Sequence, residues 1–518
     1  MRICLVIPPS VFLLDERVFT HLGILRVAAV LEQAGHEVEM LDLSGVENYE
    51  TVVRVHAAAT PTKLFGLTST TPQMPAASRV AKVIRETRPD ARVVLGGPHI
   101  TLVHAALKKE RRRGVEGRAG AAFRTLAGLF DILVAGDGEQ AILLALHDSP
   151  PALIDADDPA SPLFLNNMRL NALPFPARHL VDMDSYHYSI EGVPAQSLIA
   201  QLGCPFECGF CGGRQSPMLR RVRMRSSESV VAEMVEMHAH YGIRGFMFYD
   251  DELNVNPGMV AMMRQIRDVQ TRLQAEFRLR GFIKSQLFSD EQAEAMVEAG
   301  FRWILTGFES GSPRILENIN KKATREENTR CVEIARRHGL KVKALMSIGH
   351  PGETAETIDE TRAWLEEVHP DDFDVTIITT YPGTPYYDDA VPDADRPGVW
   401  TYTYDKTGDQ LHSYEVDYTE VADYYKGDPD GGYRAYVFTD HVSADELVAL
   451  RDQVERDVRR RLEIPFNPAG GHIRFEHSMG QFGARIPPQI LRTTRGAERA
   501  SLSPGDDAES VPGETART

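Results

Sequence analysis

The chain has 518 residues and a formal net charge of −17 at pH 7. That allows two or three domains and argues against broad binding to nucleic acid or anionic membranes. No apolar run approaches the ~20 residues of a membrane span, and the opening Arg2-Ile3-Cys4-Leu5-Val6-Ile7 reads as a buried strand, not a signal peptide. Three of the five cysteines fall between positions 204 and 211. That is no disulfide framework, and the expectation is a cytoplasmic protein using cysteine for metal binding.

Residues 1–146 alternate strand and helix patterns. Strands are predicted at Ile3–Ile7, Val38–Leu43, Leu64–Thr68, Val93–Leu95 and Ile132–Val134, with helices such as Gly23–Ala34 and Met74–Thr87 between them. This order predicts an α/β domain with a parallel sheet. Ligands of such sheets bind at the carboxyl ends of the strands. Small residues collect there, in Pro8-Pro9-Ser10, Thr68-Ser69-Thr70-Thr71, Gly96-Gly97-Pro98-His99 and Gly136-Asp137-Gly138-Glu139. They would let a large ligand approach the backbone closely. The basic run Lys108-Lys109-Glu110-Arg111-Arg112-Arg113 reads as a solvated loop.

Residues 147–194 read as a connector rich in Pro and Asp, stiffened at Leu173-Pro174-Phe175-Pro176. From about 195 to 390, strands alternate with helices such as Ser227–Tyr241 and Asp290–Ala299. The strands are predicted at Ser197–Gln201, Gly245–Tyr249, Phe277–Phe282, Trp303–Gly307, Lys341–Ile348 and Asp374–Thr379. Six such units suit a partial or full βα barrel with its chemistry at the strand C-termini. Residues 391–495 form a mixed C-terminal domain, Tyr- and Asp-rich at first (Tyr402, Tyr404, Tyr414, Tyr418, Tyr424, Tyr425), expected to close the barrel mouth. A helix then starts at Ser443, with Glu446 completing a capping box. Residues 496–518 read as a disordered tail.

The chemistry concentrates in Gly203-Cys204-Pro205-Phe206-Glu207-Cys208-Gly209-Phe210-Cys211, directly after a predicted strand. Three thiolates on one short loop can hold three irons of a cubane cluster and leave the fourth open. A structural zinc site wants four ligands. Cys4 and Cys331 are distant, and His179 and His187 would have to fold back.

With this Cys-x3-Cys-x2-Cys spacing and the aromatic Phe210, the sequence resembles the radical S-adenosylmethionine (SAM) superfamily. Four further segments resemble motifs of one branch, in order: Asp250-Asp251-Glu252, Gly307-Phe308-Glu309-Ser310-Gly311, Gly349-His350-Pro351-Gly352-Glu353 and Tyr381-Pro382-Gly383-Thr384-Pro385. That branch carries an N-terminal cobalamin-binding domain, where residues 1–146 lie. Leu173–Arg178 looks like its connector.

The resemblance implies a Rossmann-like, doubly wound cobalamin domain, then a TIM-like, partial radical SAM barrel over 195–390. Cys204, Cys208 and Cys211 would ligate a [4Fe–4S] cluster beside Phe210. Asp250 and Glu252 would meet the methionyl amine of SAM, Arg280 and Lys284 its carboxylate, and Glu309 and Ser310 its ribose or methionyl group. Cobalamin would lie against Ser69, Thr70, Gly96, Gly97, His99, Gly136, Gly138 and Glu139. Tyr381 would line the substrate cavity as the candidate catalytic residue. The Asp-x-His-x-x-Gly cobalt-ligand motif is absent, which leaves the lower axial position unassigned. The implied activity is methylation of an unactivated carbon in a small molecule. The alternative is rearrangement, cyclisation or oxidation without methyl transfer. A tRNA methylthiotransferase is set aside, because it needs three further N-terminal cysteines and only Cys4 is present. The expected partners are a small-molecule substrate and an external flavodoxin- or ferredoxin-type electron donor, and the expected state is a monomer.

Overall fold

The structure is a computed structural model. It describes residues 1–13, 16–424 and 433–465, together with the backbone of the strand Leu491–Thr493. Tyr425 and the tail at 496–518 lie outside the described residues.

The N-terminal sheet has six parallel strands. In spatial order they are Glu37–Asp42, Arg2–Ile7, Leu64–Thr68, Arg92–Gly96, Ile132–Gly136 and Leu153–Ala156. Leu491–Thr493 adds an antiparallel seventh at the Glu37–Asp42 edge. Helices cover both faces, which explains why the strands read as apolar runs without alternation. One face buries Leu67, Val80, Leu95 and Val103, the other Ile3, Leu25, Val94 and Ile142. The winding direction reverses between the first and third strands, opening a crevice at their carboxyl ends. Gln73 bridges it, donating to the Pro8 carbonyl (3.3 Å) and Ser10 Oγ (2.8 Å).

The sheet runs past residue 146 through Leu153–Ala156. The basic run is not a loop. It forms the last turns of the helix Pro98–Arg113, which ends at Gly114 in the left-handed region (φ 68°). Cations there complement the negative end of the helix dipole, and Lys108 and Lys109 pair with Asp155 and Asp389.

The second sheet is a half-barrel of six parallel strands. They are Val193–Leu198, Gly245–Phe248, Arg278–Phe282, Phe301–Glu309, Lys341–Ile348 and Asp372–Ile377, and Ser189–Ile190 is paired antiparallel to the first. Helices pack outside over Phe246, Leu279, Ile304, Val342 and Phe373. The first strand ends at Leu198, three residues before the predicted Gln201. The Ala200 and Gln201 N–H groups go to the Asp250 carboxylate instead of a strand ladder.

The domains are tied by buried ions. Asp137 pairs with Arg223 (2.6 Å), and Glu233 pairs with Arg178 of the connector (2.7 Å) and with Arg225 (2.5 Å). The C-terminal region is a four-stranded antiparallel sheet and the helix Ala444–Leu462, whose Ser443–Glu446 capping box is present. That helix closes the free edge of the half-barrel. Arg459 pairs with Asp372 (3.1 Å), and Glu455 accepts the Val375 N–H (2.7 Å). Among the described residues no helix is long and apolar enough to cross a membrane.

Candidate active site

The cysteine loop is shaped by the acidic end of the second barrel strand. Asp250 accepts the N–H groups of Ala200 (3.1 Å) and Gln201 (2.5 Å), and Asp251 accepts that of Gly203 (2.9 Å). Further along, the Cys204 N–H donates to the Leu219 carbonyl (3.0 Å) and the Gly209 N–H to that of Ile319 (2.8 Å). Gly209 lies flat on the Tyr386 ring, where any Cβ would overlap it. Phe210 packs with Cys208, Ile315 and Ile319, and meets the His350 ring edge-on at 5.4 Å. Cys208 is buried, Cys204 half-buried and Cys211 exposed. Burial, with Glu252 and Asp251 adding to it, pushes the Cys204 thiol up to about 11. Metal binding would displace that proton.

Opposite the loop lies a chain of charged and polar groups. Glu309 sits in the left-handed region (φ 67°), at a register shift between the fourth and fifth strands. A non-glycine residue there is strained, a common feature of functional sites. Its carboxylate accepts from Lys321 Nζ (2.9 Å) and Ser347 Oγ (2.8 Å), and Ser347 also meets His350 Nε2 (2.8 Å). Burial works to raise the Glu309 pKa, but Lys321 overrides it and keeps the carboxylate charged. Burial lowers His350 to about 3, so its ring is neutral. Lys284 Nζ donates to the Lys321 carbonyl (3.1 Å) and lies 4.5 Å from the Phe206 ring centroid.

The predicted pairs separate in this geometry. Asp250 is buried and committed to the loop backbone, and burial pushes it up to about 7. Glu252 is half-buried and its side chain makes no hydrogen bond among the described residues. Burial raises it to about 7, against the pull of Lys321 and Lys284. Lys284 joins this group. Arg280 does not: four residues earlier, it is buried beside Trp303 and donates to Tyr188 Oη (3.2 Å). Ser310 is buried against Thr361 (3.0 Å).

On the N-terminal domain, the Thr68–Thr71 and Gly96–His99 turns interlock. Ser69 N–H donates to the Gly96 carbonyl (3.1 Å), His99 N–H to that of Ser69 (3.0 Å), and His99 Nδ1 meets Thr71 Oγ1 (3.1 Å). Gly97 has φ 97°, and a Cβ there would fall 2.7 Å from Thr68 Oγ1 and 2.8 Å from Ser69 N. Thr70 and Pro98 are exposed on this edge, Gly96 and Gly97 half-exposed, and Ser69 buried. Burial drops His99 to about 3. The Gly136–Glu139 turn follows the next parallel strand at the same carboxyl edge, where the Gly136 N–H donates to Thr101 Oγ1 (2.9 Å) and Thr101 in turn donates to the Gly97 carbonyl (2.9 Å). Gly136 (φ 95°) is pressed on the Ala156–Asp157 backbone, Asp137 is paired with Arg223, and buried Glu139 follows half-buried Gly138.

The two edges touch. Leu102, one turn into the helix after Gly96-Gly97, packs on Gly212 of the cysteine loop and on Gly383 after the sixth barrel strand, at 3.2 and 3.1 Å from where their Cβ atoms would lie. Tyr381 is half-buried there, with its ring 5.7 Å from Tyr418 and 5.8 Å from Tyr424. Tyr418 in turn is 6.3 Å from the His99 ring.

The family model of the Radical SAM superfamily matches residues 198–365, and that of the B12 binding domain matches 16–127. The chain is a cobalamin-binding radical SAM enzyme. Its cofactors are a [4Fe–4S] cluster, SAM and cobalamin. An uncharacterized methyltransferase of Pyrococcus horikoshii is 29% identical over 398 residues, 76% of this chain and 83% of the relative. The anaerobic magnesium-protoporphyrin IX monomethyl ester cyclase of Rubrivivax gelatinosus is 23% identical over 380 residues, 69% of this chain and 63% of the relative. The radical SAM methyltransferase TsrM of Kitasatospora setae, solved with cobalamin and a [4Fe–4S] cluster bound, has a similar fold. Its TM-score is 0.60 at 19% identity, covering 93% of this chain and 90% of that one.

The residues of this enzyme fit both groups. Three soft thiols share one loop, the donor set an iron–sulfur cluster with one open iron requires. The N-terminal edge offers hydroxyls, glycines and backbone at a topological switch point. Sequence reasoning missed Lys321, Tyr386 and Leu102. Lys321 follows a short helix, not a strand end. Its only local signal is the pair of flanking residues with positive φ, Asn320 and Lys322, and these need coordinates to see.

Proposed function

We propose that the enzyme is a C-methyltransferase acting on a small molecule. The observation that carries this reading is the contact of Leu102 with Gly212 and Gly383, which sets the glycine-lined N-terminal edge against the cysteine loop. Two cofactor edges facing one space suit a substrate that must meet both. When bound, the reduced cluster supplies the electron that cleaves SAM to the radical that takes a hydrogen from substrate, and cobalamin supplies the methyl group.

In this reading Cys204, Cys208 and Cys211 hold the cluster, and Phe210 with Ile315 and Ile319 keeps water from its buried side. Glu252, with no protein partner among the described residues, receives the methionyl ammonium. Lys321, held charged by Glu309, faces the methionyl carboxylate together with Lys284. Glu309 and Ser347 fix Lys321 and border the ribose. Ser310 braces the turn through Thr361. Ser69, Thr70, Gly96 and Gly97 bear on the cobalamin, and neutral His99 braces them through Thr71. Tyr381, between the two edges, lines the substrate space. Arg280 serves the fold around the site, and the Gly136–Glu139 turn continues the cobalamin edge beyond Gly96 and Gly97. A flavodoxin- or ferredoxin-type carrier supplies the electron.

Cyclase relatives keep a second reading in view, in which the same radical leads to ring closure or oxidation. The deciding experiment incubates anaerobically reconstituted, corrinoid-loaded protein with SAM carrying a labelled methyl group and a reductant. Transfer of the label to the bound corrinoid, with 5′-deoxyadenosine formed alongside, is expected. Formation of 5′-deoxyadenosine with an unlabelled corrinoid would shift the assignment to the second reading.

A further inference from the structure

A groove of about 250 Å³ runs along the outside of the cysteine loop, lined by Pro205, Arg214, Gln215, Pro217, Arg220 and Arg221. Its floor is the back of the loop itself. Pro205 follows Cys204, whose N–H is bonded to the Leu219 carbonyl, and the Arg221 backbone presses on Gly203 (φ 86°). A group seated there is separated from a thiol ligand by little more than one layer of backbone.

The charge of this groove runs against that of the whole chain. Arg214 and Arg220 share the single carboxylate of Glu207 (3.0 and 2.7 Å). Arg221 is exposed and has no ion pair among the described residues. Arg112 arrives from the N-terminal domain, donates to Gln215 (3.0 Å), and has no carboxylate partner among the described residues. A basic patch on a chain of net charge −17 orients an acidic partner, because the remaining surface repels it.

We propose that this groove is the docking surface for an acidic one-electron carrier protein, an inference that rests on the radical reading of the site. A second side of the loop is closed by Leu102 on Gly212 and by Tyr386 on Gly209, and holds SAM and substrate in that reading. The groove side is left for electron entry. The reduced carrier loses one electron, the cluster gains it, and that electron is consumed in breaking the sulfonium carbon–sulfur bond of SAM.

The test uses the full-length reconstituted enzyme and the double variant Arg112→Glu/Arg221→Glu, both positions being exposed and outside the cofactor contacts. The readout is 5′-deoxyadenosine formation with reduced flavodoxin and, separately, with dithionite. The flavodoxin-supported rate is expected to fall about tenfold or more at low ionic strength, the dithionite rate to stay at wild type, and Arg112→Lys/Arg221→Lys to restore the first. The wild-type flavodoxin rate should itself fall with added salt. An unchanged flavodoxin rate in the charge-reversal variant, or equal loss with both reductants, overturns the docking surface. So does a single-stranded oligonucleotide that binds wild type but not the variant while the flavodoxin rate is unaffected. A wild type that forms no 5′-deoxyadenosine even with dithionite fails at the radical reading instead, so the two failures are distinguishable.

Discussion

The barrel edge and the N-terminal edge face the same space but are built from opposite materials. The barrel edge carries half-buried Glu252 with buried Lys284, Glu309 and Lys321. The N-terminal edge carries Ser69, Thr70, Gly96 and Gly97, with His99 kept neutral by burial. A charged edge suits a zwitterionic ligand held by point contacts. A neutral edge of backbone and hydroxyls suits a large ligand held by shape. The difference also sets how each edge fails. Buried charges must be paired or shift their pKa, whereas a glycine turn fails when a side chain intrudes.

The largest effect is expected on the barrel side. Cys208→Ala should abolish 5′-deoxyadenosine formation and reduce bound iron from about four per chain. Corrinoid absorbance should persist if the edges are independent, and retained turnover would sink the cluster assignment. Next comes the buried pair. Lys321→Met leaves Glu309 charged without its partner and should destabilise the fold by about 3–5 kcal/mol, read from denaturant unfolding. Adding Glu309→Gln should recover part of this loss.

On the neutral edge, Gly97→Ala forces a Cβ onto Thr68 and Ser69 and should cost about 1–3 kcal/mol. Corrinoid binding should weaken while iron content stays at wild type. A matching loss of iron would show that the edges are one cooperative unit.

The smallest effect is a pH dependence. Burial raises Glu252 from 4.5 to about 7, over the opposing pull of Lys321 and Lys284, so the folded enzyme keeps a proton that the unfolded chain has released. The stability this carries is full below pH 4.5 and is lost as pH rises through 7. Glu252→Gln does not titrate. Without SAM, the variant should match wild type at pH 4.5 and below and exceed it by a margin that grows as pH rises to about 7 and then levels off. A difference independent of pH would remove Glu252 from the buried charged group.

Much of this was legible from local pattern. The helices Met74–Thr87 and Ser227–Tyr241 and the strand Lys341–Ile348 fall where periodicity and caps place them. The first barrel strand did not, because Asp250, fifty residues away, takes the N–H groups that would have continued its ladder. The basic run at 108–113 reads as solvated because its composition is charged. Its helical state depends on the Gly114 cap and on Asp155 and Asp389.

The sequence by itself determined the cysteine spacing and the order of strand-end motifs, local runs whose residue types and short separations carry the cluster site and the family resemblance, and the other cofactors followed only from what that resemblance implies. Only the tertiary structure decided that Asp250 braces the loop while Glu252 stays open, that Lys321 completes the charged edge, and that Leu102 joins it to the neutral one. Those outcomes depend on which buried donors and acceptors find one another across the fold, and pairing at that range leaves no periodic trace along the chain.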